Sequence, residues 1–211
     1  AEIHALNHRL RRAVAETHHR VKNNLQVVAA MIEMQVLDYQ RKESVPLHEL
    51  QRLLSHVHTL SLVHDLLTVS PRTEETGRVS TRAMVDKLLS LLQRTAGKQS
   101  VHYSAEEIAL SSKQCLALAL VLNELVTNAL KHGKDEGEVA LWVENSRVNL
   151  TVSDDGAGFP QGFDVTQHAN TGLELVENLV ATDLLGTVEY SNPPEGGGRV
   201  LVTFPRPREE D

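Results

Sequence analysis

The sequence predicts an α+β protein in two parts: a two-helix hairpin, then a sandwich with helices covering one side of a mixed or antiparallel sheet. Up to Leu67 the apolar residues recur at spacings of three, four and seven, the mark of amphipathic helices. Beyond Ser80 strongly apolar helical segments alternate with short strands of period two. The composition changes at the same place. Residues 1–70 carry 8 Lys/Arg against 7 Asp/Glu and hold 8 of the 11 histidines, whereas residues 71–211 carry 13 Lys/Arg against 21 Asp/Glu. Two domains are therefore expected, at 1–70 and 77–207.

In the first part Ile3, Leu6, Leu10, Val14, Val21, Leu25, Val28 and Ile32 form one helical stripe, and "DYQRKESVP" interrupts it. Leu47, Leu50, Leu54, Val57, Leu60 and Leu67 form a second stripe, so the pair reads as a hairpin. Each apolar face can cover the other, but a second hairpin would cover both better, and a homodimer through this part is expected, with a monomer as the alternative. "TVSPRTEETGR" reads as a linker. Then come a helix over "STRAMVDKLLSLLQRTAG" ending at Gly97 and a strand over "SVHYSAE". A long apolar helix over "SSKQCLALALVLNELVTNALKHG" is bounded by serine and Gly133. "EVALWVEN" and "RVNLTVSDD" alternate about a tight "NS" turn and form a strand hairpin. A helix over "GLELVENLVATDLLG" and strands over "TVEYSN" and "RVLVTFP" complete the order.

A formal net charge of −7 argues against a nucleic-acid binder, which needs a basic face. With Cys115 as the single cysteine there is no intrachain disulfide, which fits a reducing, cytoplasmic setting. No apolar run reaches the roughly 20 residues of a membrane span. Because the chain opens inside a periodic segment, it reads as a piece of something longer, with any membrane attachment lying in other parts.

"ETHHRVKNNLQ" (16–26) sets two histidines side by side on the first helix. With Val21 at the centre of the buried stripe and a helix turning about 100° per residue, His18 sits near 60° and His19 near 160°. On the same wheel Glu16 and Asn23 fall at about 220° and 200°, so Glu16, His19 and Asn23 share an exposed face. Taken alone, such a histidine is most simply a solvated surface residue.

Three further motifs change its standing. "NELVTNALKHG" (123–133) lies on the long helix, "DDGAGFP" (154–160) closes a strand, and "NTGLEL" (170–175) opens a helix. Glu124 and Asn128 are four apart on one face, where they can reach a hydrated Mg²⁺ and its phosphates. Lys131 and His132, one turn on, are placed for phosphate contact. Asp154 offers a carboxylate to an adenine amino group. Gly156 and Gly158 let backbone approach the base and adopt positive φ. Gly172, with Leu173 beside it, lets a helix N-terminus point free N–H groups at phosphate. "GGGR" (196–199) is either another close-approach turn or a flexible hairpin tip.

In this order and on these elements, the motifs resemble the ATP-binding fold shared by gyrase, Hsp90, MutL and the histidine kinases, the GHKL group. "NELVTNALKHG" is similar to its N box, and "DDGAGFP" and "NTGLEL" are similar to its two glycine boxes. Together with "HHRVKNNLQ" upstream, the chain resembles sensor histidine kinases of the HWE-like branch, over residues 1–207. "WVE" (142–144) adds the Trp-x-Glu of that branch. The resemblance implies ATP and Mg²⁺ as cofactors, with the metal at Asn128. It also implies autophosphorylation of His19, the histidine directly before arginine, and transfer to the receiver domain of a response regulator. Glu16 or Glu124 would assist His19, and Asn23 would orient a water in dephosphorylation. A GHKL-type ATPase or serine kinase acting through Glu124, or a non-catalytic dimerisation scaffold, are the rival functions.

Overall fold

The computed structural model describes residues 47–69, 78–94, 96–165 and 171–206, together with Ala29 and Ile32, which are helical. The first helix of the expected hairpin and the "DYQRKESVP" turn otherwise lie outside the described residues, as do His19, Glu16 and Asn23. The chain divides into two compact units, Ala1–Val57 and His58–Asp211.

The second helix of the hairpin is present as α1 (Leu47–Val69). The unit boundary falls within it rather than in the linker. Leu60 and Val63 are buried, whereas Leu47, Leu50, Leu54 and Val57 are exposed by 70, 51, 54 and 40%. The expected linker is shorter than read: α1 runs to Val69 and a strand starts at Arg78.

That strand, β1 (Arg78–Ser80), leads into α2 (Thr81–Gln93). Ser80 caps α2 by accepting a hydrogen bond from the Ala83 N–H at 3.2 Å, the usual use of serine at this position. The helix stops at Gln93, short of Gly97, which instead takes a left-handed turn (φ 65°). β2 (Ser100–Ala105) and β3 (Ala109–Ser111) come next, and β3 pairs antiparallel with β1 in a two-stranded sheet. The buried Thr81 joins these pieces. Its hydroxyl donates to the Glu106 carbonyl (3.0 Å) and accepts from the Ile108 N–H (2.9 Å).

The long helix is α3 (Ser112–His132), opened by a capping box in which Ser111 and Gln114 satisfy each other's backbone. It is buried almost all round: α2, α4 (Thr171–Leu179) and the sheet all pack on it. The main sheet adds β4 (Glu136–Glu144), β5 (Arg147–Asp154), β6 (Thr187–Ser191) and β7 (Arg199–Pro205) in the order β2-β4-β5-β7-β6. Only β2–β4 is parallel. Asn145 and Ser146 turn between β4 and β5 with φ of 50° and 61°, the left-handed pair that a two-residue hairpin requires.

The register aligns Val139, Val152 and Val200 across the sheet, then Leu141, Leu150 and Val202, then Val143, Val148 and Phe204. All of these except Val143 are buried. Fully burying one such side chain contributes about 1.5–3 kcal/mol, so these rows and the apolar faces of α3 make the core. Cys115 lies inside it, and burial pushes its thiol pKa up to about 12. Beyond α4 the helix widens into a π-turn (Val180–Leu184) closed by left-handed Leu185 (φ 56°). The Lys113 ammonium meets the Asp183 carboxylate at 2.9 Å and ties this turn to the start of α3. Among the described residues no helix is long and apolar enough to cross a membrane.

Candidate functional site

The C-terminal half of α3, the end of β5, the start of β7 and α4 surround a cavity of about 460 Å³. That volume lies within the range of small-molecule sites, about 300–1,000 Å³. Its apolar wall includes Leu125, Ala129, Val152, Leu173 and Val200, and its polar groups include Asn128, His132 and Asp154. A helix advances about 100° per residue, so Leu125, Asn128, Ala129 and His132 all fall on one face of α3.

Asp154 is the last residue of β5. Its backbone N–H donates to the Gly198 carbonyl at 2.9 Å. Its Oδ1 accepts from the Gly156 N–H (2.8 Å) and the Gly198 N–H (3.4 Å), which fixes the carboxylate plane. Oδ2 makes no hydrogen bond among the described residues. An anchored carboxylate with one open acceptor, on a mostly apolar wall, is suited to a ligand N–H donor.

The glycines hold this arrangement by their lack of a side chain. A Cβ on Gly156 would run into the His132 carbonyl, and one on Gly197 into the Asp154 carbonyl. Of the two readings of "GGGR", the structure has the close approach: Gly197 and Gly198 are buried against Asp154. Gly158 has positive φ (74°) as expected; Gly156 does not, and space alone accounts for it. Asp155 faces the other way. Its carboxylate accepts from the Lys134 N–H at 2.7 Å and the Asp135 N–H at 3.1 Å, fastening the turn to the exit of α3. Those backbone donors, Lys134 first, hold its carboxyl below the usual range.

Of the residues expected here, Asn128, His132, Asp154, Gly158 and Leu173 line the cavity. Gly156 supports Asp154 from beside it, and Gly172 is buried in the first turn of α4. Lys131 is exposed and off the cavity wall. Glu124 is 1% exposed and does not line the cavity. Reading the sequence missed Phe159, Pro160 and Phe163, which form part of the wall. Their signal was available, since two of the chain's three phenylalanines fall within this one five-residue stretch.

Helices layered over a mostly antiparallel sheet, with an aspartate-and-glycine turn at the cavity beside α3, make an α+β sandwich with a small-molecule-sized site. Residues 114–208 match the family described as histidine kinase-, DNA gyrase B-, and HSP90-like ATPase. Residues 16–96 match a second family, described as histidine kinase. The chain thus belongs to the histidine kinases, with an HWE-type histidine kinase region ahead of its ATPase domain. It is 32% identical over 201 residues to the sensor histidine kinase PdtaS of Mycobacterium tuberculosis, an alignment covering 91% of this chain and 39% of that protein. It is 26% identical over 207 residues to blue-light-activated histidine kinase 2 of Erythrobacter litoralis, covering 94% of this chain and 58% of the relative. The histidine kinase domain of the Erythrobacter litoralis blue-light activated kinase has the same fold, with a TM-score of 0.69 at 24% identity over 92% of this chain and 91% of that one. The chain spans only about two-fifths of the PdtaS length (39%).

Proposed function

We propose that the chain is the catalytic part of a two-component sensor histidine kinase. It phosphorylates His19 from ATP and passes the phosphoryl group to an aspartate of a response-regulator receiver domain. The observation that carries the nucleotide half is Asp154, clamped by Gly156 and Gly198 through one oxygen and left with the other open at the cavity. An adenine amino group donates to that oxygen; guanine presents a carbonyl at the same place and is repelled. Leu173, Val152 and Phe159 supply apolar surface for the base, and His132, on the cavity wall at the end of α3, would meet the phosphates, with Lys131 exposed beside it outside that wall.

Asn128 fits a magnesium ion. It lines the cavity and offers one oxygen, and such an ion keeps waters and takes further ligands from phosphate. When bound it neutralises charge on the transferring group. Neutral His19 supplies the nucleophile: its free ring nitrogen bonds to the γ-phosphorus, the bond to the bridging oxygen breaks, and ADP leaves. A carboxylate on the other nitrogen, from Glu16, or from Glu124 once uncovered from its 1% exposure, would set the tautomer and take up the positive charge. Asn23, one turn after His19, would orient a water for hydrolysis of the phosphoryl group on the regulator's aspartate. A homodimer through the exposed stripe of the helical hairpin would bring two such units together.

The test is incubation with γ-labelled ATP and Mg²⁺, followed by acid and base treatment of the protein. Label that is lost in acid and kept in base, and absent from His19→Ala, supports the reading. Acid-stable label would mark a serine kinase instead.

A further inference from the structure

We propose that Asn192 is a positioning residue of the nucleotide site, its side-chain amide serving as a one-residue strand partner that holds Phe159 and with it the cavity wall from Gly158 to Phe163. The inference rests on the nucleotide reading of that cavity. The Phe159 N–H donates to Asn192 Oδ1 at 2.7 Å, and Asn192 Nδ2 donates to the Phe159 carbonyl at 2.8 Å. One side chain thus satisfies both backbone groups of one residue, as a neighbouring strand would. The orientation of the amide is unambiguous, because turning it over would set donor against donor and acceptor against acceptor.

Both sides are built for this contact. Asn192 comes directly after the last residue of β6, and Pro193 and Pro194 come next. A residue before proline is held in extended backbone, so the amide is presented from a stiff support. On the other side Gly158 has φ 74°, and a Cβ there would come within 2.7 Å of Asn192 Oδ1 and of the Gly197 carbonyl. Among the described residues, the two bonds to Asn192 are the only hydrogen bonds tying residues 157–162 to the neighbouring strands. Tyr190, two residues earlier on β6, supports the same segment by its ring. It meets Phe159 and Phe163 edge-on at 5.4 Å each, while those two rings lie 4.8 Å apart. Phe159 and Phe163 both line the cavity. Release of Asn192 therefore frees the wall against which the base rests, without touching Asp154.

The 211-residue chain is tested by binding of a fluorescent ATP analogue and by amide hydrogen exchange. Asn192→Leu keeps the shape and removes both bonds. Exchange across residues 157–163 should quicken while α3 and the sheet stay protected, and analogue binding should weaken about tenfold, as losing one or two net hydrogen bonds implies. Asn192→Asp gives a readout that a merely structural role does not. Near pH 7 its carboxylate confronts the Phe159 carbonyl and binding falls. Below about pH 3.9, the ordinary aspartate pKa, a protonated carboxyl again accepts on one oxygen and donates from the other, and the affinity ratio to the unsubstituted chain at the same pH recovers. Unchanged exchange in Asn192→Leu, unweakened binding in that variant, or an Asp variant with a flat ratio against pH would each overturn the proposal. Failure of the unsubstituted chain to bind the analogue would overturn the nucleotide reading itself, and exchange would still decide whether Asn192 holds Phe159.

Discussion

Asp154 uses its two oxygens differently, and that difference can be tested by one atom. Asp154→Asn keeps the size but replaces an acceptor by an amide. Binding of ATP should fall by about tenfold or more, since a mismatched buried polar pair costs about 1–3 kcal/mol, and the preference for ATP over GTP should vanish. Calorimetry with both nucleotides checks it, and equal binding of the two by the unsubstituted chain would refute the adenine role. His19→Ala should abolish acid-labile phosphorylation and leave ATP affinity nearly unchanged. Asp155 gives a pH signature. Its carboxyl is held below the ordinary 3.8 in the folded chain. A lowered value contributes stability that is complete above 3.8 and is lost as pH falls through the lower folded value. Asp155→Asn should therefore melt with a smaller drop between about pH 6 and pH 3 than the unsubstituted chain. Asp154 was legible because its turn stands in order between two other motifs, on the elements expected for each. Asn192 was not: a lone asparagine before prolines has no spacing signal, and its partner Phe159 is 33 residues away. The two meet only because β7 runs beside β5 and carries β6 on its far side.

Elements stand as the sequence places them wherever a period or a cap is long enough to read. α2, α3 and the five strands of the main sheet lie where apolar spacing puts them, and Ser80 and Ser111 mark the helix starts. Strands β1 and β3 escaped because three residues contain no usable period. The π-turn after α4 escaped as well, since "VATDL" has ordinary helical residues. The β4–β5 turn carries an avoidable cost. Ser146 sits at φ 61°, where glycine is at ease. Ser146→Gly should stabilise the domain by about 0.5–1 kcal/mol, seen as a higher melting temperature, because a left-handed residue with a Cβ costs about that much. Ser111→Ala should do the reverse by about 1 kcal/mol through loss of the capping box.

For the whole molecule, the exposed stripe of α1 is the feature that most needs a partner surface. Leu47, Leu50 and Leu54 are each at least half exposed, on a helix whose Leu60 and Val63 are buried. Replacing Leu50 and Leu54 together by Glu should turn a dimer into a monomer by sedimentation while leaving ATP binding intact. A dimer that survives both charges would place the interface elsewhere. Here the period of the stripe was legible in the sequence: a stripe announces that a face seeks burial, not which surface supplies it.

Cys115 gives the chain an internal clock. The thiol is 0% exposed, its pKa is raised to about 12, and no second cysteine competes with it. The reactive species is the thiolate, so an alkylating reagent reaches it only when the first turns of α3 separate from their surroundings. The rate of alkylation in native buffer then measures how often that core opens. A ligand gripping the far end of the same helix should slow the reaction in proportion to its saturation. Labelling followed by mass spectrometry would thus register nucleotide occupancy in molecules that carry no dye or engineered tag.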